Sequence, residues 1–538
     1  MVSIRSVLFV SILLVSLVLS AQQDRYMVFF TDKGETTFSL DHPEEFLTQR
    51  ALDRRDRMNI SLDSMDLPVC KTYLDSLKKL GVNTFFTTKW MNGVIAQMTA
   101  SQASELEKLS FVANVEYVAP GLKLTYDQNI PPDPTSFVDL VSSEPTTDTQ
   151  NGMIGASTMH DKGITGEGVY IAILDAGFPG VNEYLPFQDI FLEDRLIATR
   201  DFIRNSGNVF QYVDHGASVL SCTGGKYADT FSGVAPGASF VLCVTEDDAT
   251  EYRVEEYNWL FGAEFSDSLG VDVINSSLGY DTFDDHSMDY SYQDFDGKTT
   301  VVARAAQWAA DKGIVVVVSA GNTGAKITTP ADARDVLTVG SVTANWTKSV
   351  FSSMGPTADG RIKPDVDAMG SSTTIFSKNK ISTGSGTSYA SPQIAGLAAG
   401  LLQAYPSLTN LDVLYLIRAS GSQYSKPDTL LGYGVANYAR APVGDVITAA
   451  EVIKGDITVY PNPILDDHIY LDIDEGLIMD HLDVRVIDPL GRAVYSRRIH
   501  KDDIYNQMEI SIQTEVSGVY FLTLRSSQIE KTVKLIKN

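Results

Sequence analysis

Val169-Tyr170-Ile171-Ala172-Ile173-Leu174-Asp175-Ala176-Gly177 is an apolar run that ends in a carboxylate and a glycine. A short continuous apolar run closed by a turn signal predicts a strand buried on both faces. Phe240–Val244, Val271–Ile274, Ile314–Ser319 and Val336–Val342 repeat the pattern, and helical stretches such as Thr300–Lys312 lie between several of them. The alternation predicts an α/β domain over 151–448, with a parallel sheet covered by helices on both faces. Functional residues of such sheets gather at the carboxyl ends of the strands. Asp175 is therefore notable for where it stands as well as for what it is.

The flanking segments differ in kind. Arg5, an apolar run from Val7 to Leu19, and the small residues Ser20 and Ala21 describe a secretory signal peptide over 1–21. Residues 24–120 read as a small α+β unit, with strands at Arg25–Thr31, Gly93–Met98 and Phe111–Val118. Its helices are expected at Glu44–Met58, Lys71–Leu80 and Ser101–Leu109. Residues 121–150 read as a linker, because Pro131–Gln150 is rich in Pro, Ser, Thr and Asp and has little periodicity. In 455–538, Ile469–Ile473, Val484–Ile487, Val519–Leu524 and Thr532–Ile536 are separated by turn signals, which predicts an all-β sandwich. No segment after the leader is long and apolar enough to span a bilayer. The formal net charge of −26 argues against a nucleic-acid partner, since phosphate contacts need clustered Lys and Arg.

Three local patterns in the middle domain could carry chemistry. Asp175 closes a strand, His215 opens the segment His215-Gly216-Ala217-Ser218-Val219, and Ser388 stands in Gly384-Ser385-Gly386-Thr387-Ser388-Tyr389-Ala390-Ser391-Pro392. Each has a plain structural explanation when taken alone: a turn carboxylate, a structural histidine, a helix N-cap. Together they supply what nucleophilic catalysis needs. A serine hydroxyl is a weak nucleophile without a positioned base, and the base needs a carboxylate to fix its tautomer. The chain order Asp, His, Ser is one of the known orders for such a triad. Pro392 and the Ala- and Leu-rich run after it place Ser388 near a helix N-terminus, where backbone N–H groups can stabilise an oxyanion. Asn322, in Ser319-Ala320-Gly321-Asn322, brings a side-chain amide to the same edge of the sheet.

These segments resemble the subtilisin-like serine peptidases, the subtilases. Matching in order are ILDAG at 173–177, HGASV at 215–219 with GVAPGA at 233–238, INSSLG at 274–279, SAGN at 319–322, and GTSYASP at 386–392. FSSMGPTADGRIKPDVDAMG at 351–370 is a sixth stretch of the same character. The resemblance implies a secreted serine endopeptidase that acts through an acyl-enzyme. Asp175 orients His215, His215 is general base and then acid, and Ser388 is the nucleophile. Asn322 and the Ser388 N–H form the oxyanion hole. Ser277, Leu278 and Gly279 pair with the backbone of a protein or peptide substrate. Ala176 and Ala217 depart from the hydroxyl residues usual in the family, and Tyr389 from the usual Met. Residues 24–120 resemble the inhibitory, chaperone-like propeptides of secreted subtilases, which implies a self-processing zymogen. Tyr460-Pro461-Asn462-Pro463, Gly518-Val519-Tyr520-Phe521 and Lys531-Thr532-Val533-Lys534 resemble the C-terminal sorting domain of the type IX secretion system of Bacteroidetes. That implies an interaction with secretion machinery and a secreted or cell-surface protein.

The rival reading is a non-catalytic surface binding protein on the same fold, which predicts a missing triad residue. The chemistry requires no cofactor. Asp294 and Asp296 in the acidic insertion Asp281–Lys298 are candidate ligands for a structural Ca²⁺, and the sequence marks no catalytic metal site. Glu246, Asp247, Asp248, Glu251, Glu255 and Glu256 read as a solvated acidic face. The alternative is an acidic rim that favours Lys or Arg in the substrate. Cys222 and Cys243 are expected close together, either as a disulfide or as two buried thiols.

Overall fold

The protein is described here from a computed structural model covering 23–34, 36–121, 136–140 and 145–443. In the C-terminal segment it covers 457–464, 468–473, 481–488, 492–500, 507–512, 517–525 and 530–537. The expected signal peptide 1–21 lies outside the described residues, as do most of the linker 121–150 and the expected end of the middle domain at 448. Among the described residues, no helix is long and apolar enough to cross a membrane.

The apolar runs form one seven-stranded sheet. Its spatial order is Val366–Met369, Val336–Val342, Val315–Ser319, Val273–Ser276, Tyr170–Asp175, Ser239–Val244 and Leu196–Asp201, and every pairing is parallel. The chain leaves Tyr170–Asp175 in one direction and later returns to build outward from its other side with Val273–Ser276. These two neighbours therefore flank the topological switch point, where their carboxyl ends leave a crevice.

Two apolar layers cover the sheet. One contains helices His215–Gly224, Thr387–Ala404 and Asn410–Ala419. The other contains Val254–Leu269 and Val301–Asp311. Strand alternation decides the cysteine question. Phe240, Leu242 and Val244 face the first layer together with residues of the His215 helix, whereas Val241 and Cys243 face the second. Cys222 belongs to the His215 helix, so the sheet separates the pair and no disulfide forms. Burial pushes both thiols up to about 12, which keeps them protonated and inert.

Residues 24–119 fold as a four-stranded antiparallel sheet in the order Asn83–Thr88, Gly93–Met98, Asp24–Phe30, Val112–Ala119. One face carries helices Lys71–Lys79 and Ala100–Leu106. Phe86, Trp90 and Ile95 from the unit pack on the second layer of the large sheet, with Trp90 and Trp308 edge to face at 6.5 Å. The helix expected over Glu44–Met58 divides into a 3-10 turn, Pro43–Glu45, and the helix Gln49–Arg57, which Thr48 caps. Helix Asp148–Ile154 begins inside the stretch expected to be linker. The C-terminal segment forms a three-stranded and a four-stranded antiparallel sheet around one apolar core.

Candidate active site

Asp175 is the last residue of its strand and has no exposed surface. His215 is the first residue of helix His215–Gly224. The helix can approach because Gly216 follows: a Cβ there would lie 2.5 Å from the carbonyl oxygen of Gly177 and 2.9 Å from the Asp175 Cβ. His215 Nδ1 sits 2.7 Å from Asp175 Oδ1, which also accepts the Ala176 N–H at 2.8 Å. A carboxylate only accepts, so the shared proton is on Nδ1 and the neutral ring leaves Nε2 as an acceptor. Asp175 Oδ2 is buried without a partner. The His215 side chain keeps 32% of its surface exposed. Burial pulls its pKa down. The charge and hydrogen bond of Asp175, aided by Glu246 and Asp214, outweigh that and raise it above 6.5.

Ser388 is the second residue of helix Thr387–Ala404 and is 6% exposed. Its helix lies beside that of His215, joined by a 3.0 Å bond from Thr223 Oγ1 to the Pro392 carbonyl. Ser388 Oγ lies 3.4 Å from the Ser277 carbonyl oxygen, at the limit of a hydrogen bond. Among the described residues, no hydrogen bond joins Ser388 Oγ to His215. Contacts of this kind often tighten only when substrate is bound. The Tyr389 ring stands 6.0 Å from the His215 ring.

Asn322 follows the strand Val315–Ser319. Its Oδ1 accepts from Thr387 N at 2.8 Å and Thr387 Oγ1 at 3.0 Å. A backbone N–H can only donate, so the oxygen must face Thr387 and Nδ2 must face away. Nδ2 and the Ser388 nitrogen each lie 3.7 Å from the point a Cβ on Gly386 would occupy. Two donors thus flank one small space that glycine leaves open. The first N–H groups of a helix have no acceptor within it, so that of Ser388 is available.

Ser277 ties the switch-point strand to the serine helix. Its Oγ donates to the Ser388 carbonyl at 2.9 Å, accepts from Asn275 Nδ2 at 3.2 Å, and lies 3.1 Å from Ser391 Oγ. Leu278 is 9% exposed and Gly279 is exposed. The structure therefore brings Asp175, His215, Ser388, Asn322 and the segment 277–279 to one edge of the sheet.

Residues 166–434 match the Subtilase family, residues 25–131 the Peptidase S8 propeptide domain of Bacteroidota, and residues 458–538 the secretion system C-terminal sorting domain. The chain belongs to the subtilase family. Serine protease AprX of Bacillus subtilis is 30% identical over 308 residues, spanning 51% of this chain and 66% of that protein. Subtilisin NAT of Bacillus subtilis subsp. natto is 26% identical over 338 residues, covering 60% and 74%. A thermostable alkaline protease of Halalkalibacterium halodurans is 26% identical over 340 residues, covering 63% and 80%. The C-terminal domain marks this subtilase for type IX secretion to the cell surface or beyond, and the propeptide domain marks it as a zymogen.

The propeptide of this subtilase is held by charge as well as by apolar contact. Glu264, on helix Val254–Leu269, accepts the Lys89 N–H at 2.8 Å, the Trp90 N–H at 3.1 Å and the Thr88 hydroxyl. Asp267, one turn along, takes Arg54 at 2.6 Å, Arg55 at 2.9 Å and Lys89 at 3.1 Å. Burial would raise the Asp267 pKa, but those three cations hold it well below the usual carboxylate range. Sequence reasoning missed Arg54 and Arg55, because RALDRRDR reads as an exposed charged helix.

The acidic stretch also departs from expectation. Asp248 is exposed and Glu246, Asp247 and Glu251 are half-buried, but Glu255 and Glu256 are 1% and 0% exposed and so do not belong to a solvated face. Glu256 is satisfied by the Tyr290 hydroxyl at 2.7 Å and the Val302 N–H at 3.1 Å. Glu246, Glu251 and Glu255 turn toward one another instead. The only sequence signal for this was the density of acids directly after a buried strand.

Proposed function

We propose that this subtilase is a secreted serine endopeptidase that hydrolyses peptide bonds through an acyl-enzyme, with Ser388 as nucleophile, and that it matures by cutting its own chain. The observation that carries this reading is the 2.7 Å bond between His215 Nδ1 and Asp175 Oδ1 at the switch point, beside a helix whose first turn carries Ser388. His215 Nε2 takes the Ser388 Oγ proton as Oγ attacks the substrate carbonyl. Asn322 Nδ2 and the Ser388 N–H donate to the oxygen that becomes negative, and because they are fixed beforehand no reorganisation is needed. The imidazolium, stabilised by Asp175, gives its proton to the leaving amine and the acyl-enzyme remains. Water then attacks the acyl carbon as His215 takes its proton, and the carbonyl reforms as the ester bond to Ser388 Oγ breaks and His215 returns the proton to Oγ. Ser277, Leu278 and Gly279 offer a backbone edge on which an extended substrate can add as a strand.

Ser388→Ala tests this directly. Loss of the serine in a triad enzyme costs about 10⁶ in turnover, while the fold should change little, because the Ser388 hydroxyl makes only the 3.4 Å contact to the Ser277 carbonyl. Expressed without other proteases, the variant should accumulate with residues 24–120 still attached and should not cleave casein, as read by mass spectrometry and a fluorogenic assay. Normal maturation or retained hydrolysis would refute the assignment. A wild-type protein that cleaves nothing would favour the binding-protein reading.

A further inference from the structure

Glu246, Glu251 and Glu255 present a second constellation that the proteolytic mechanism does not use. Glu246 leaves the strand Ser239–Val244, Glu251 lies in the following loop, and Glu255 is in the first turn of helix Val254–Leu269. One carboxylate oxygen from each lies within 4.8 Å of the other two. Among the described residues, none of the three forms an ion pair with a Lys, Arg or His. Arg253, the nearest cation in sequence, turns instead to Glu116 at 3.7 Å and Glu256 at 3.8 Å. Tyr280, itself 1% exposed, donates its hydroxyl to Glu246 Oε2 at 3.0 Å.

An independent observation concerns what is left unpaired. The Glu255 residue is 1% exposed, and its Oε2 is buried without any hydrogen-bond partner. Glu251 Oε1 is buried and unpartnered as well. A buried polar atom without a partner costs free energy, and native proteins rarely leave one unexplained. Two unpaired carboxylate oxygens thus belong to one acidic cluster, and a bound cation is a partner that would satisfy them.

We propose that Glu246, Glu251 and Glu255 form a binding site for a divalent cation, with Ca²⁺ as the ion their chemistry fits. Three oxygens no more than 4.8 Å apart always share a point within about 2.8 Å of each, close to the Ca–O distance of about 2.3–2.6 Å. All-oxygen ligation by carboxylates suits Ca²⁺. Mg²⁺ demands a tighter octahedron near 2.0–2.1 Å. Asp284 provides outer support: its Oδ2 accepts the Glu251 N–H at 3.3 Å and its own N–H donates to the Glu251 carbonyl at 2.8 Å. Asp294 and Asp296 of the acidic insertion are engaged in local hydrogen bonds. Asp294 caps the turn at Ser291, and Asp296 accepts the N–H groups of Lys298 and Thr299.

The test uses the full-length chain carrying Ser388→Ala, so that it stays intact during measurement. Tb³⁺ should bind and luminesce through excitation of Tyr280, and Ca²⁺ should displace it with half-saturation at about 10⁻⁴–10⁻³ M, the range of extracellular calcium modules. Ca²⁺ should also raise the melting temperature. Glu255→Gln should weaken binding at least about tenfold. Glu251→Gln, at a less buried position, should do the same and carries the test should the first variant fold poorly. Asp294→Asn should leave binding unchanged. Absence of Ca²⁺ binding, or equal binding in both Glu variants, would overturn the proposal. So would a wild-type preference for Lys or Arg N-terminal to the cut that the Glu variants lose without any Ca²⁺ effect, since the carboxylates would then be reading a substrate side chain. Neither metal readout uses peptide hydrolysis, so failure here and failure of the Ser388 mechanism are separable.

Discussion

Arg54→Met, made in the full-length Ser388→Ala chain, would measure how firmly charge holds the propeptide. Arg54 is 1% exposed in the interface. Its guanidinium donates to the Lys312 carbonyl at 3.1 Å, to Asp267 Oδ1 at 2.6 Å and to the Val271 carbonyl. Lys312 and Val271 lie just past the ends of helices Val301–Asp311 and Val254–Leu269. Helix C-termini leave carbonyls unpaired and carry partial negative charge, so a cation is favoured there. Methionine fills the space of the arginine stem and removes only the charged fork. Deleting one partner of a buried ion pair costs about 3–5 kcal/mol. Asp267 would still hold Arg55 at 2.9 Å and Lys89 at 3.1 Å, so the low end, about 3 kcal/mol, applies.

At about 1.4 kcal/mol per factor of ten, local opening of 49–57 should become more frequent by on the order of a hundredfold. Amide hydrogen exchange followed by mass spectrometry reads this directly, because exchange through local opening scales with the open population. Peptides from 49–57 should exchange faster by about that factor, while the strand Tyr170–Asp175 stays protected. Lys71→Ala is the control, since the Lys71–Asp75 pair is 75% and 49% exposed and should contribute nothing visible. A change below about threefold for Arg54→Met would mean that desolvation of the guanidinium cancels its bonds. The anchoring role would then be wrong.

Other outcomes follow from the site. His215 must be neutral to accept the Ser388 proton, and its pKa is raised above 6.5, so kcat/KM should fall as the pH drops through a value above 6.5. A pH–rate profile with an optimum below about 5 would contradict this. Ala176→Ser should place a hydroxyl within reach of the unpartnered Asp175 Oδ2. One net hydrogen bond is worth about 1 kcal/mol, so a gain of up to about fivefold in kcat/KM is expected, and a loss would show that the orphaned oxygen is not limiting. Deleting 455–538 should leave the protein inside the cell and spare its activity after lysis. Export of the truncated chain would remove the sorting role from that domain.

The sequence made the sheet centre legible because both of its faces are buried. Residues 171–174 and 315–318 are apolar at every position, a pattern that exposed elements do not produce. The strands that escaped notice lack it. Leu196–Asp201 is an edge strand whose residues are mostly half-buried, and Val366–Met369 carries a buried aspartate in a four-residue element. The site was legible for a different reason. Asp175, His215, Ser388 and Asn322 each sit where a strand ends or a helix begins, and those boundaries are written locally in glycines, prolines and small residues. The charged clusters had no such local mark. RALDRRDR and EDDATEYRVEE have the composition of solvated surface, and only the partner across space turns each into interior. Arg54 is buried because the ends of two helices come from more than 200 residues away, as the 213-residue separation to Asp267 shows. Glu255 is buried in a cluster with Glu246, to which Tyr280 donates from a distant part of the chain. Periodicity encodes what a residue needs from water. It does not encode which distant carbonyl or carboxylate will replace that water, and both charged sites of this protein depend on that replacement.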